Sequence, residues 1–87
     1  MTKSVFTQKY HLFRLLLIET RQSQKLSQAA IAQRLQKPQS FVSKYERGER
    51  RLDVVEFLEV AKALGIKPCE FLEKLEKLTE ATEHNRK

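Results

Sequence analysis

Apolar residues return along this chain at intervals of three and four, which predicts helices, and scarcely any run alternates as a strand would. Tyr10, Phe13, Leu16, Leu17 and Thr20 make the first stripe, predicted from Thr7 as cap to about Gln22. Leu12 and Ile18 widen it, which suits either a broad core face or a flank shared with a second subunit. Ser27 is placed to cap a second helix, with Leu26 stapled onto Ile31 and Leu35 one turn further. Pro38, with fixed φ and no N–H, belongs in the first turn of a third helix that stops at Gly48, where positive φ is expected. Asp53 begins a fourth helix, predicted to turn Val54, Phe57, Leu58, Ala61 and Leu64 inward and to end at Gly65 under Ile66. The fifth runs from about Pro68 to Glu80. Its apolar residues are Phe71, Leu72, Leu75 and Leu78, and Glu70/Lys74 and Glu73/Lys77 are spaced as i,i+4 pairs.

The third helix differs from the others. On a helical wheel Pro38, Phe41, Val42 and Tyr45 gather on one side, while Ser40, Ser43, Lys44 and Arg47 lie opposite and Gln39 sits at the start. Short amide, hydroxyl and cationic groups on a face that buries nothing are suited to base edges.

Composition bounds the rest. With 87 residues, the chain is expected to be one domain, 1–87, all-α, with its core over about 8–80, flexible ends at 1–6 and 82–87, and a helix-turn-helix over about 27–47. A chain of this size buries only roughly 60–65% of its unfolded surface, so dimerisation would add stability. The leucines of helix 5 and the spare flank of helix 1 are the candidate dimer surfaces. Net charge is +6, but residues 1–52 hold eleven Lys and Arg against three Glu, while residues 53–87 hold six against eight acids. A positive field confined to the half with the polar face raises the local concentration of polyanions. Nucleic acid leads as partner and anionic membrane comes second.

A lone cysteine, Cys69, excludes an internal disulfide, and neither it nor His11 and His84 form a metal-ligand pattern, so no metal and no cofactor is expected. Leu15–Ile18 is too short an apolar run for a signal peptide or a membrane span. A cytoplasmic protein is the expected reading. No nucleophile stands with a base, no carboxylates pair in a cleft and no glycine loop cradles phosphate, so no enzyme is expected.

Two short helices joined by a short turn form a helix-turn-helix, whose second helix can enter the DNA major groove. The stretches LSQxxIAxxL, PQSxVSKYExGER and VAKALGI, spanning about Leu17 to Leu72, resemble the lambda-repressor and Cro (XRE-like) type of helix-turn-helix domain. The resemblance implies a five-helix fold and sequence-specific binding to double-stranded DNA. It implies that Gln28 meets a phosphate and buttresses Gln39, whose amide matches adenine N6 and N7. Ser40, Ser43 and Lys44 would follow on the same face, with Lys37, Arg47, Arg50 and Arg51 meeting phosphates. Arg21 and Glu46 occupy the positions of an ion pair linking helix 1 to helix 3. Lys25 and Gln36 depart from the family pattern, standing in turns where glycine is common. Phe41 is unusually large for the seam between core and groove and is expected to pack.

These readings converge on a transcriptional regulator, a repressor acting as a homodimer on a palindromic operator. Two alternatives stand beside it: an antitoxin or other interaction module whose helices bind a partner protein such as a toxin, and an amphipathic domain at a membrane surface, to which only helix 1 comes close.

Overall fold

The computed structural model describes residues 2–85, with side chains over 8–82. Five helices follow one another: α1 (Thr2–Ser23), α2 (Gln28–Leu35), α3 (Gln39–Arg47), α4 (Val54–Leu64) and α5 (Pro68–Asn85), with no strand among the described residues. The fold is all-α. α2 packs on α3 and α4, and α1 packs on α3 and α5, so α1 and α2 together hold α3 from behind.

Local chemistry sets most of the helix ends. The Ser27 hydroxyl accepts the Ala30 N–H at 3.0 Å, and Pro38 stands just outside α3 in extended conformation, as its N-cap rather than its first helical residue. Asp53 and Glu56 close a reciprocal capping box: the Asp53 carboxylate accepts the Glu56 N–H at 2.7 Å and Glu56 accepts the Asp53 N–H at 3.0 Å. Gly48 ends α3 at φ 81° and Gly65 ends α4 at φ 71°. A Cβ on Gly48 would also stand 3.2 Å from the Arg14 Nε, so α1 passes close behind that turn. Lys25 and Gln36 take the left-handed region at φ 59° and 57°, where a side chain costs about 1–2 kcal/mol. Two carbonyls at the end of α4 are taken up by side chains from afar: Arg34 donates to Ala63 O and Gln24 to Leu64 O, each at 2.8 Å.

The core joins Leu16 and Leu17 of α1, Ile31 and Ala32 of α2, Val42 and Tyr45 of α3, Phe57, Val60, Ala63 and Leu64 of α4, and Phe71 of α5. Phe13, Phe57 and Phe71 meet pairwise with ring centroids 5.4–5.9 Å apart, a spacing that favours tilted and edge-on contact and fastens α5 to α1 and α4.

Several sequence expectations need correction. α1 begins at Thr2, not after Thr7, and α5 continues to Asn85, beyond the expected end near Glu80. Neither end contains Gly or Pro, and once a packed helix is nucleated each further residue adds a hydrogen bond at little cost. Met1, Arg86 and Lys87, part of the expected flexible ends, lie outside the described residues. On α4, Val54 is 74% and Leu58 47% exposed, whereas the inward positions include Val60 and Ala63. α4 is apolar on nearly every face, so periodicity alone does not choose its buried arc. The Glu70/Lys74 and Glu73/Lys77 spacings close no ion pair among the described residues, and Leu72 and Leu78, which the sequence offers as a candidate dimer surface, are exposed.

Candidate nucleic-acid interface

α3 is anchored by its inner face. Val42, Tyr45 and Glu46 are buried, whereas Gln39, Ser40, Lys44 and Arg47 are exposed and Ser43 is half-buried on the outer side. A buried carboxylate is costly unless fully paired. Glu46, 4% exposed, accepts from Arg21 Nε at 2.7 Å and Nη2 at 3.0 Å, and from Gln28 Nε2 at 2.8 Å. Arg21 Nη1 also donates to Leu26 O at 2.8 Å, so one guanidinium ties α1, α3 and the turn before α2 together. Hydrogen bonding to Glu46 raises the Arg21 pKa, and burial pushes the Tyr45 phenol well above its ordinary value. From α1, Arg14 Nη1 donates to the Glu46 carbonyl at 2.7 Å.

This network reaches the outer face through one residue. A carboxylate only accepts, so Gln28 presents its NH2 to Glu46 and its amide oxygen to the other side. There Gln39 Nε2 lies 3.5 Å from Gln28 Oε1, a long contact.

The cations around α3 are held in different ways. Arg47 forks onto Glu49 at 2.9 and 3.1 Å and donates to Ser43 Oγ at 2.7 Å. The hydrogen bond from Arg47, followed by its charge, holds the Glu49 carboxyl below its ordinary range. Arg50 forks onto Glu56 at 3.0 and 2.7 Å and lies 4.7 Å from the Phe41 ring centroid, while Lys37 Nζ stands 5.1 Å from the same ring. Phe41 itself packs edge-on against Tyr45, so one ring fills the seam and offers its face to two cations. Arg51 lies over Tyr10 at 4.4 Å, and the Tyr10 hydroxyl accepts the Leu52 N–H at 3.2 Å, which fixes the α3–α4 loop against α1.

Sequence reading missed Glu49, Glu56, Tyr10 and Arg14. The Asp53-x-x-Glu56 spacing is a legible capping box, but nothing local marks the other three, whose partners are set by the turn at Gly48 or lie more than thirty residues away.

The hydrogen bonds of Arg50 and Asp53 hold the Glu56 carboxyl down at about 2, from an ordinary value of 4.5. Because the folded value is depressed, this contribution to stability is complete above pH 4.5 and is lost as pH falls towards 2. Acid titration followed by circular dichroism should therefore show a smaller loss for Glu56→Gln than for the native chain across that window. Equal losses would mean that the fork does not persist in solution.

A short helix, a left-handed turn and a second helix anchored on one face, with polar and basic groups on the other, define a helix-turn-helix DNA-binding regulator. The helix-turn-helix family matches residues 17–71, and the chain belongs to its XRE-like branch. It is 44% identical to an XRE-family like protein from Pseudomonas syringae pv. tomato, with a TM-score of 0.85 over 90% of this chain and 95% of that one. The restriction-modification controller protein C.Esp1396I has the same fold, at 20% identity and TM-score 0.74 over 79% of this chain and 90% of that one. A point variant of that controller matches at 22% identity and TM-score 0.73, over 79% and 87% of the two chains. No curated protein matches. Among the described residues no helix is long and apolar enough to cross a membrane.

Proposed function

We propose that the chain is a cytoplasmic repressor that binds a palindromic operator as a homodimer, with α3 in the major groove. The observation that carries this reading is the division of α3 into a buried inner face and an exposed outer face of Gln39, Ser40 and Lys44. Gln39 reads a base, oriented by Gln28, and Lys44 donates to guanine O6 or N7, with Ser40 and Ser43 beside them. Lys37, Arg47 and Arg51 meet phosphates and set the register. Arg50, its fork held by Glu56, acts chiefly by holding the α3–α4 loop.

A second copy covers the apolar residues of α5 or the spare flank of α1. Leu72 and Leu78 lie exposed on the α5 face assigned from sequence, and Leu12 and Ile18 of α1 are half-buried. A toxin or other partner protein would use the same residues, and size measurement of the purified chain separates the two.

The DNA reading is tested by binding to random-sequence duplex at rising salt. Log affinity is expected to fall against log salt with a slope of about −0.9 for each phosphate neutralised. A flat response would leave a protein-interaction module as the better account.

A further inference from the structure

Among the described residues three ion pairs form, and they are not equivalent. Arg21–Glu46 is largely buried, with side chains 13% and 5% exposed, and joins α1 to α3. Arg50–Glu56 is tied into the capping box of α4, so opening it disturbs the cap. Arg47–Glu49 alone is a surface pair with both side chains more than half exposed, at 56% and 54%. Exposed pairs of this kind contribute little to stability, so its place at the end of α3 is available for function.

The backbone puts it there. The left-handed turn at Gly48 lets the Glu49 N–H bond the Lys44 carbonyl at 2.9 Å, which brings the Glu49 side chain back beside the helix it has just left. Its two oxygens then fill the Arg47 fork, and Arg47 in turn donates to the Ser43 hydroxyl. The Lys44 charge also acts on Glu49. One acid thus holds Arg47, lies under the charge of Lys44 and, through Arg47, is linked to Ser43, all three proposed for the DNA contact. A guanidinium fork fits carboxylate, phosphate and the O6/N7 edge of guanine with much the same geometry, and so the carboxylate occupies the place a DNA group would take.

We propose that Glu49 is a specificity-determining residue: it occupies the Arg47 fork in the unbound protein and yields it only to a duplex on which α3 is fully seated. On a poorly matched duplex, a phosphate must displace the carboxylate without the gains from Gln39 and Lys44, and Arg47 stays with Glu49. On a matched one the seated helix brings the DNA group to the fork, Arg47 transfers, and the Ser43 hydroxyl is released with it. Glu49 thereby weakens binding to random sequence more than binding to the operator. The inference rests on the DNA-binding reading above.

The test compares the native chain, Glu49→Gln, Arg47→Ala and the double variant by fluorescence anisotropy, on a random-sequence duplex and on an operator selected from a random pool. Glu49→Gln is expected to raise affinity for the random duplex by about two- to fivefold and to steepen its salt slope by about 0.9. The operator gains less, so discrimination falls, and in the Arg47→Ala background the substitution has little effect. Unchanged affinity and slope, an equal gain on both duplexes, or the same gain without Arg47 would each overturn the proposal. If the native chain binds no duplex, the DNA reading fails and takes this inference with it. If it binds and Glu49→Gln behaves like it, only this inference fails.

Discussion

Glu46→Ala should destabilise the fold by about 3–5 kcal/mol, measured by urea unfolding, because it strands charge in the interior. Glu46 accepts three side-chain hydrogen bonds, two from Arg21 and one from Gln28, and the Arg21 side chain is only 13% exposed. Removing the carboxylate leaves a guanidinium with no counter-charge and an amide with no acceptor. Replacing both partners by apolar residues, Arg21→Met with Glu46→Leu, is expected to recover much of the loss, since neither charge then has to be desolvated. A loss below about 1 kcal/mol for Glu46→Ala would place the pair in the class of solvated surface contacts. The double variant has a second use. It removes the group that orients Gln28, so a stable fold with poorer DNA discrimination would separate the network's part in positioning from its part in folding.

Gln39→Ala should cost about 1–3 kcal/mol of discrimination between operator and mismatched duplex, roughly 5- to 150-fold, while leaving affinity for random sequence nearly unchanged. Gln39 stands exposed at the first position of α3 with one amide hydrogen turned towards Gln28. A second amide hydrogen and the oxygen remain for a base edge. Competition binding against single-substitution operators is the measurement. An equal loss on every sequence would assign the amide to a phosphate instead.

The helix-turn-helix was readable because its punctuation is chemical and local. Ser27, Pro38 and Gly48 each satisfy a backbone requirement within a few residues, and the left-handed Lys25 and Gln36 follow from turn positions the family usually gives to glycine. The division of α3 was equally legible, since polar and apolar residues segregate cleanly on its wheel. Faces are harder to assign where the sequence offers apolar residues all round: on α4 the arc that is buried depends on where α2 and the phenylalanine cluster lie, so periodicity places Val54 and Leu58 in the core although they are exposed. Contacts made across the fold were not legible at all. Nothing near Arg14 announces the Glu46 carbonyl, and nothing in Glu49 announces that the turn before it aims it back at Arg47.

α1 grips α3 at the same residue twice, through Arg14 on the Glu46 carbonyl and Arg21 on its carboxylate. The two grips sit seven residues apart on one helix, about 10 Å along its axis. With Val42 and Tyr45 buried beside Glu46, the inner face of α3 is held by packing as well as by these two arginines, so on the proposed reading its tilt is set before any duplex arrives. The proposed DNA contact then leaves accommodation to the nucleic acid, so that base steps the protein never touches would influence affinity through how readily they bend or twist to meet it.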